Sequence, residues 1–352
     1  MKIKYLLKGL LKSVPGVEHF YNFHKETGGT DNARYCYAVW MRHLLMAWEN
    51  GHRRIPVSIA ELGPGDSMGI GLSALLSGAE KYYALDVIRY SNVERNLRVF
   101  EELINLFRSK ATIPHNDEFP NMRPRLTEFS FPDHILTDEQ LAILLDEKRL
   151  NRIREAIRSC EQPQSDAEAM ISYQVPWADA SVIRKESVDM IISQAVLQHV
   201  NDLKGTYESM NAWLRKDGLM SHNIDLKSMG ASDLWYGHWT YSDLEWKIVK
   251  GRKKYLINRE PYSVHMRLAE ENGFKVTRKI KDVESMPDRN EFSAPYRQLS
   301  EEDMTTSSLF LQAVKTRVLL ICNCLLFAGE NIYQLNLCSV MRSEEHTSEL
   351  QS

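Results

Sequence analysis

The sequence lacks several features that would each point to a different class of protein. No run of about 18 or more apolar residues occurs in its 352 residues, so no membrane-spanning helix is predicted. The formal net charge is −3, whereas proteins that track nucleic-acid phosphates carry a basic excess, so no nucleic-acid partner is expected. The five cysteines show neither an even count nor paired metal-ligand spacing, so no disulfide framework and no metal site are predicted. A reducing cytoplasm is the expected location.

The chain also lacks the glycine spacing of a dinucleotide-binding fold. A β-forming run from Val57 enters the segment Glu61-Leu62-Gly63-Pro64-Gly65-Asp66-Ser67-Met68-Gly69. Dinucleotide folds carry G-x-G-x-x-G, with a pyrophosphate at the helix N-terminus, and here Gly65 and Gly69 stand too far apart. Gly63 and Gly65 still allow a sharp turn and a close approach of the backbone to a ligand. The helix that follows is predicted to begin near Asp66 or Ser67. The alternative is a glycine turn that binds nothing.

A second predicted strand, Lys81-Tyr82-Tyr83-Ala84-Leu85-Asp86, ends on a carboxylate placed where nucleotide folds bind a ribose diol. The order of strand, glycine loop, helix, strand and acid, with Glu61 two residues before the first glycine, resembles motif I of class I S-adenosylmethionine (SAM)-dependent methyltransferases. The resemblance covers about Val57 to Lys315. It implies an α/β, Rossmann-like fold: a seven-stranded, mostly parallel sheet with an antiparallel last strand and helices on both faces. It also implies S-adenosyl-L-methionine as the cofactor.

The resemblance further implies which residues bind the cofactor, at four places along the chain. Asp179 follows Pro176-Trp177 at the point where such enzymes hold the adenine, although a surface turn is an equal alternative. Ser193 and Gln194 end the predicted fourth strand and offer backbone and amide groups near the methyl donor. Gln198 stands where the family often has Glu, which puts a carboxylate role for that loop in doubt. The predicted cofactor-binding residues are Glu61, Gly63, Pro64, Gly65, Asp66, Asp86, Val87, Asp179, Ser193 and Gln194.

Three residues are candidates for the base that takes a proton from the methyl acceptor: His222, Asp225 and His199. His222 and Asp225 lie near the end of the predicted fifth strand, 219–226, where open α/β sheets place ligands. A hydroxyl acceptor must lose its proton, and a neutral imidazole or a carboxylate within hydrogen-bond distance accepts it. The alternatives are structural, with His222 bonded to the backbone and His199 hydrogen-bonded in the fold.

The expected acceptor is a hydroxyl of a saccharide or of another small polar molecule. Sugar rings stack on aromatic faces, although packing explains many of the same side chains. The aromatic cluster comprises Trp235, Tyr236, His238, Trp239, Tyr241, Trp246 and Tyr255. Short segments such as His222-Asn-Ile-Asp-Leu and Asn258-Arg-Glu-Pro resemble methyltransferases of surface-polysaccharide pathways. The alternatives are a non-catalytic SAM-binding or scaffold protein and an NAD(P)-dependent oxidoreductase. The oligomeric state is not predicted.

Residues 1–54 are predicted to form an N-terminal helical extension. Apolar residues and lysines alternate at helical spacing through residues 2–14, which predicts a basic amphipathic helix. Such a helix either docks on its own domain or makes peripheral contact with an anionic membrane. A second helix is predicted to follow, capped by Thr30 or Asp31, and its leading turn is a candidate lid.

Residues 55–315 are predicted to be the methyltransferase domain, interrupted by an insertion at about 110–168. The insertion begins with a proline-rich stretch and continues with a helix pair from Thr137 to Ser159. It is expected either to cover the substrate side or to form an oligomer contact. The fold needs nothing after about Lys315. Residues 342–352 resemble a translated sequencing adapter, so residues 316–352 are interpreted as a non-native tail.

Overall fold

The computed structural model describes residues 2–13, 28–161, 169–177, 180–252 and 256–316. Among these residues the α-helices are α1 Lys2–Ser13, α2 Ala33–Glu49, α3 Gly69–Leu76, α4 Val93–Arg108, α5 Asp138–Leu144, α6 Glu147–Ser159, α7 Leu203–Trp213, α8 Asp243–Lys250, α9 Tyr262–Glu271 and α10 Glu301–Thr305. The strands are β1 Ser58–Leu62, β2 Lys81–Leu85, β3 Ile171–Gln174, β4 Val188–Gln194, β5 Leu214–Asp225, β6 Phe274–Val283 and β7 Thr306–Lys315. Residues 317–352 of the predicted tail and residues 162–168 of the insertion lie outside the described residues.

The strands form one sheet in the order β3-β2-β1-β4-β5-β7-β6. Strands β1 to β5 pair in parallel, and β7 pairs antiparallel with both β5 and β6. The predicted fold class, a seven-stranded and mostly parallel Rossmann-like sheet, is therefore confirmed. Strand β1 lies in the middle of the sheet, with β2 and β3 added on one side of it and β4 and β5 on the other. The boundary between β1 and β4 is therefore a topological switch point, where such sheets bind ligands.

Helices cover both faces of the sheet, and each face has its own hydrophobic core. On one face α2, α3, α4 and α6 pack together with Leu219 of β5. On the other face α7 and α9 pack with Met220 and Ile224 of the same strand. Successive side chains of a strand point to opposite faces. In the second half of β5, odd-numbered residues therefore face α2, α3, α4 and α6, and even-numbered residues face α7 and α9.

Several element boundaries differ from the sequence-based predictions. The N-cap of α2 is Asn32 rather than Thr30 or Asp31, because the Asn32 side chain accepts hydrogen bonds from the first amides of the helix. Helix α3 begins at Gly69, later than predicted, because Asn96 Oδ1 accepts from Met68 N at 2.9 Å and holds that residue outside the helix. Strand β5 begins at Leu214 instead of Leu219. Its first residues pair with β4 through an irregular register at Val188.

The described part of the insertion packs on α2 and α4. The helix pair is confirmed, and Thr137 caps α5 in a capping box with Gln140. The proline-rich stretch is fixed by Arg42 of α2, whose fully buried guanidinium donates to Pro124 O at 3.1 Å and to Pro114 O at 3.0 Å. Burial lowers the pKa of Arg42 to about 10, so the guanidinium remains charged at neutral pH.

Helix α1 packs against α8 by one of its sides. Across the described ranges, no helix combines the length and the apolar character that crossing a membrane requires.

Candidate functional site

The turn after β1 needs glycine at two positions. Gly63 and Gly65 have φ values of 67° and 74°, in the left-handed region that favours glycine. A Cβ on Gly63 would also lie 2.6 Å from Val196 Cγ2, in the loop after β4. Gly63 N donates to Leu85 O at 2.8 Å, which ties the turn to the end of β2. The buried residues Pro64 and Asp66 complete this turn, and Asp66 O accepts from Arg95 at 3.0 Å.

Asp86 joins the glycine turn to the loop after β2. Its carboxylate is 6% exposed and accepts hydrogen bonds from Val87 N at 2.7 Å and, more weakly, from Gly65 N at 3.4 Å. Burial raises the pKa of Asp86, and these backbone donors partly offset that rise. Val87, directly after it, is 45% exposed. The structure thus brings Gly63, Gly65, Asp86 and Val87 together, while Asp179 lies outside the described residues.

Glu61 lies beneath this turn and is 1% exposed. Tyr82 Oη, which is also buried, donates to Glu61 Oε2 at 2.5 Å. A Cβ on Gly71 of α3 would lie 2.1 Å from the Tyr82 ring, so helix and strand approach as closely as a glycine permits. Glu61 therefore fixes the packing beneath the glycine turn and is not exposed at the surface of the site.

Replacing Glu61 with Gln is expected to change how stability depends on pH. Burial raises the pKa of Glu61 from 4.5 to about 7. A carboxyl whose folded-state pKa is raised stabilises the fold below its unfolded pKa, and that stability is lost as the pH rises through the folded pKa. The wild type should thus lose up to about 3 kcal/mol, relative to Glu61→Gln, between about pH 4.5 and pH 7. Urea unfolding of both proteins across this range measures the difference, and parallel pH curves would contradict it.

Ser193 and His222 lie on the face of the sheet that α7 and α9 cover. Ser193 Oγ and His222 Nδ1 are 2.8 Å apart, and the two residues are aligned on neighbouring strands. His222 is fully buried, and burial, with His43 and His265 nearby, lowers its pKa to about 3. The imidazole is therefore neutral at physiological pH.

A cavity of about 440 Å³ opens on the opposite face, at the ends of β4 and β5. Gln194 and Asn223 are register partners that line it, and Asp225, Ser308 and Asp282 form a second row across β5, β7 and β6. Asn223 is 3% exposed, and its Oδ1 finds no hydrogen-bond partner among the described residues. Gln194 Oε1 is in the same state. Such buried acceptors are the groups that a bound ligand satisfies.

The start of α2 and the insertion cover this cavity. Gly28, Gly29 and Asn32, from the predicted lid turn, line it together with Tyr35, and the insertion contributes Glu118 to Arg123. Three contacts hold the start of α2, the insertion and the sheet together. Arg34 pairs with Glu118 at 2.6 and 2.8 Å, the rings of Tyr35 and Phe119 meet edge to face at 5.3 Å, and Arg123 pairs with Asp282. The described insertion thus forms a wall of this cavity.

The three candidate bases do not meet in one place. Asp225 lines the cavity, and its Oδ1 accepts from Lys227 N at 3.0 Å. His222 points to the other face, and neither His222 nor His199 lines the cavity. Burial lowers the pKa of His199, and the Asp225 carboxylate nearby partly offsets this effect. Asp225 is the candidate that reaches a ligand in the cavity directly.

Sequence reasoning did not single out some residues of the candidate site. Asn223 and Tyr35 line the cavity, and strand parity was the signal that points to Asn223. Asn258 holds the loop after β4, because its Nδ2 donates to Leu197 O at 2.8 Å and to Val200 O at 3.0 Å. Only the folded chain brings Asn258 to that loop.

The described members of the aromatic cluster pack among themselves and do not line this cavity. Trp239 is fully buried, and Tyr241 and Trp246 are 1% and 7% exposed. Trp239 also donates its indole N–H to Arg259 O at 2.9 Å, and His238 is buried beside it. Packing accounts for these side chains, so they give no support to sugar stacking. Tyr255 lies outside the described residues.

Comparisons with known proteins bear on the class of enzyme. Residues 143–221 match a family model described as a methyltransferase domain. Solved structures match the chain at low identity and with TM-scores below 0.5. An S-adenosylmethionine-dependent methyltransferase from Mesorhizobium loti is 14% identical, with 79% of this chain and 97% of that chain covered and a TM-score of 0.37. Phosphoethanolamine N-methyltransferase 2 from Haemonchus contortus is 13% identical, with 84% and 61% covered and a TM-score of 0.39. A comparison with curated proteins finds no match.

The sheet order, the glycine turn with Asp86 and the family match together support a class I SAM-dependent methyltransferase with S-adenosyl-L-methionine as its cofactor. The resemblance to surface-polysaccharide enzymes stays a prediction.

Proposed function

We propose that this chain transfers a methyl group from SAM to a hydroxyl of a saccharide or other small polar acceptor bound in the cavity at the ends of β4 and β5. The observation that carries the proposal is that Asn223 Oδ1, a buried hydrogen-bond acceptor without a partner among the described residues, lies in the same cavity as the carboxylate of Asp225. A site that both orients a polar molecule and accepts its proton needs these two kinds of group.

The residues around the glycine turn fit the cofactor. Gly63 and Gly65 leave the backbone open, and Asp86 presents a carboxylate beside them for the ribose hydroxyls. Gln194 ends β4 and Ala195 follows it with a left-handed φ of 54°, and both residues line the cavity. Val196, the next residue, lies against Gly63 of the glycine turn. When bound, SAM supplies a methyl group on a sulfonium, whose departure as a neutral thioether needs no acid catalyst.

Asp225 is proposed as the base. It follows Asn223 on the same face of β5, so a molecule that donates one hydroxyl to Asn223 Oδ1 presents a neighbouring hydroxyl to the Asp225 carboxylate. The C–S bond of the donor would break as the acceptor oxygen bonds to the methyl carbon, and the Asp225 carboxylate would take the proton that this oxygen loses. His222 is not assigned this step, because its side chain lies across the sheet with Ser193. Its proposed role is to hold the end of β4 against β5.

The chemistry of the cavity wall supports a small acceptor rich in hydroxyl groups. Carboxylate and amide oxygens accept hydrogen bonds from hydroxyls, and Asn121, Asn223 and Asp225 provide such oxygens. Tyr35 adds an aromatic side chain at the same wall. The volume of about 440 Å³ falls at the lower end of the range of small-molecule sites.

Calorimetry with SAM, S-adenosylhomocysteine and NADPH tests the first requirement of the proposal, which is that the protein binds SAM. Saturable binding of both sulfur compounds, without binding of NADPH, is expected. Methyl transfer is then measured over a panel of monosaccharides, nucleotide sugars and simple amines, with mass spectrometry locating the methylated atom. Absence of SAM binding would defeat the proposal. Binding without transfer to any acceptor would favour a non-catalytic SAM-binding protein, and transfer to amines alone would overturn the hydroxyl assignment.

A further inference from the structure

Helix α1 presents an apolar stripe to solvent. Ile3, Leu7, Leu10 and Leu11 are 70%, 54%, 51% and 55% exposed. Their spacing of four, three and one residues places all four on one side of a helix. Single exposed apolar side chains are ordinary, but a continuous stripe of four large ones on one helix marks an interaction surface.

The opposite side of α1 is the side that packs on the domain. A Cβ on Gly9 would lie 2.1 Å from Ile248 O, so the backbones of α1 and α8 meet without room for a side chain. Tyr5 is 9% exposed, and its hydroxyl donates to Asp233 Oδ1 at 2.5 Å. The two sequence-based alternatives, docking on the domain and contact with a membrane, therefore concern different sides of one helix. Docking on the domain uses the side of α1 that carries Tyr5 and Gly9. It leaves the apolar stripe uncovered by the described residues.

Charge indicates what covers the stripe. Residues 1–17 contain lysines and no acidic residue, and Lys4 and Lys8 lie exposed along one edge of the stripe. Asp233 and Glu245 lie on the docked side, 3.6 Å from Lys4 and 3.9 Å from Lys2. Leu244 of α8, the helix on which α1 packs, is 71% exposed. Apolar side chains edged by lysines are complementary to acyl chains beneath anionic headgroups.

We propose that α1 docks this protein on an anionic phospholipid surface. Ile3, Leu7, Leu10 and Leu11 enter the boundary between headgroups and acyl chains, and Lys8, which lies exposed at the edge of the stripe, contacts the headgroup phosphates. A second copy of the chain fits the stripe less well, because a symmetric contact would bring the same lysines of both copies to one interface. The proposal concerns attachment and is independent of the methyl-transfer reaction.

Vesicle sedimentation with the full-length protein tests the proposal. The probes are vesicles of phosphatidylcholine alone and of phosphatidylcholine mixed with phosphatidylglycerol. Binding to the mixed vesicles is expected to be roughly tenfold stronger or more, and to weaken as salt is raised. The double variant Leu7→Ser with Leu11→Ser should lose binding while keeping the wild-type melting temperature, because both side chains are exposed.

The matched control is Ile143→Ser, since Ile143 is 71% exposed on α5 and lies outside the stripe. It should bind like the wild type, whereas Lys8→Glu should bind the mixed vesicles more weakly. Equal binding by the Leu7→Ser, Leu11→Ser variant, or no vesicle binding by the wild type, would overturn the proposal. A concentration-dependent dimer in light scattering that the double variant abolishes would assign the stripe to a second copy and would also overturn it.

Discussion

Asp225→Asn is expected to lower kcat for methyl transfer by about a hundredfold or more while leaving SAM affinity nearly unchanged. An amide cannot accept the proton of the acceptor hydroxyl, and general base catalysis of this kind contributes about 10² to 10⁴ in rate. The substitution preserves the size of the side chain and its hydrogen bond from Lys227 N. The measurement is steady-state kinetics with the acceptor found in the panel, alongside calorimetry with SAM.

The matched control is Asp217→Asn, in the exposed first part of β5, where a left-handed φ of 61° suits Asn as well as Asp. It should behave as the wild type does. His222→Gln separates the two base candidates on β5. It should lower the melting temperature, because it disturbs the buried contact with Ser193, and leave kcat of the folded protein within a few-fold of wild type. A kcat for Asp225→Asn close to wild type, with a large loss in His222→Gln, would reverse the assignment.

The sequence indicated two candidate bases on β5, and strand periodicity explains why only one of them, Asp225, lines the cavity. His222 and Asp225 are separated by an odd number of positions, so their side chains lie on opposite faces of a regular strand. Asn223 and Asp225 are separated by an even number and share a face. The odd and even positions within β5 could be read from the sequence, whereas the alignment of Gln194 with Asn223 across β4 and β5 is known only from the structure.

The glycine turn was predictable for a different reason. Gly63, Gly65 and Asp86 are close in the chain, and backbone conformation alone requires the first two. The apolar pattern indicates the alternation of strands and helices, whereas the seven-stranded sheet with its antiparallel last strand was expected from the resemblance to class I methyltransferases.

The cover of the cavity was not predictable in the same way. It depends on contacts between distant parts of the chain, such as Arg34 with Glu118 and Arg123 with Asp282. No local pattern specifies which partner a surface arginine will find. The aromatic cluster shows the same limit, because burial of Trp239 against Phe292 is decided by tertiary packing and not by composition.

The second large effect is expected at Asp86, where replacement with Ala should weaken binding of both SAM and S-adenosylhomocysteine by about a hundredfold. Two hydrogen bonds from ribose hydroxyls to a carboxylate account for about 3 kcal/mol, and the carboxylate also holds Gly65 N. Calorimetry measures both ligands, with melting temperature as a check on folding. Glu94→Ala, an exposed acid in α4, is the control and should bind normally. Because the two ligands share the ribose and differ in the methyl group, unequal losses would contradict a ribose contact, as would unchanged affinity for both.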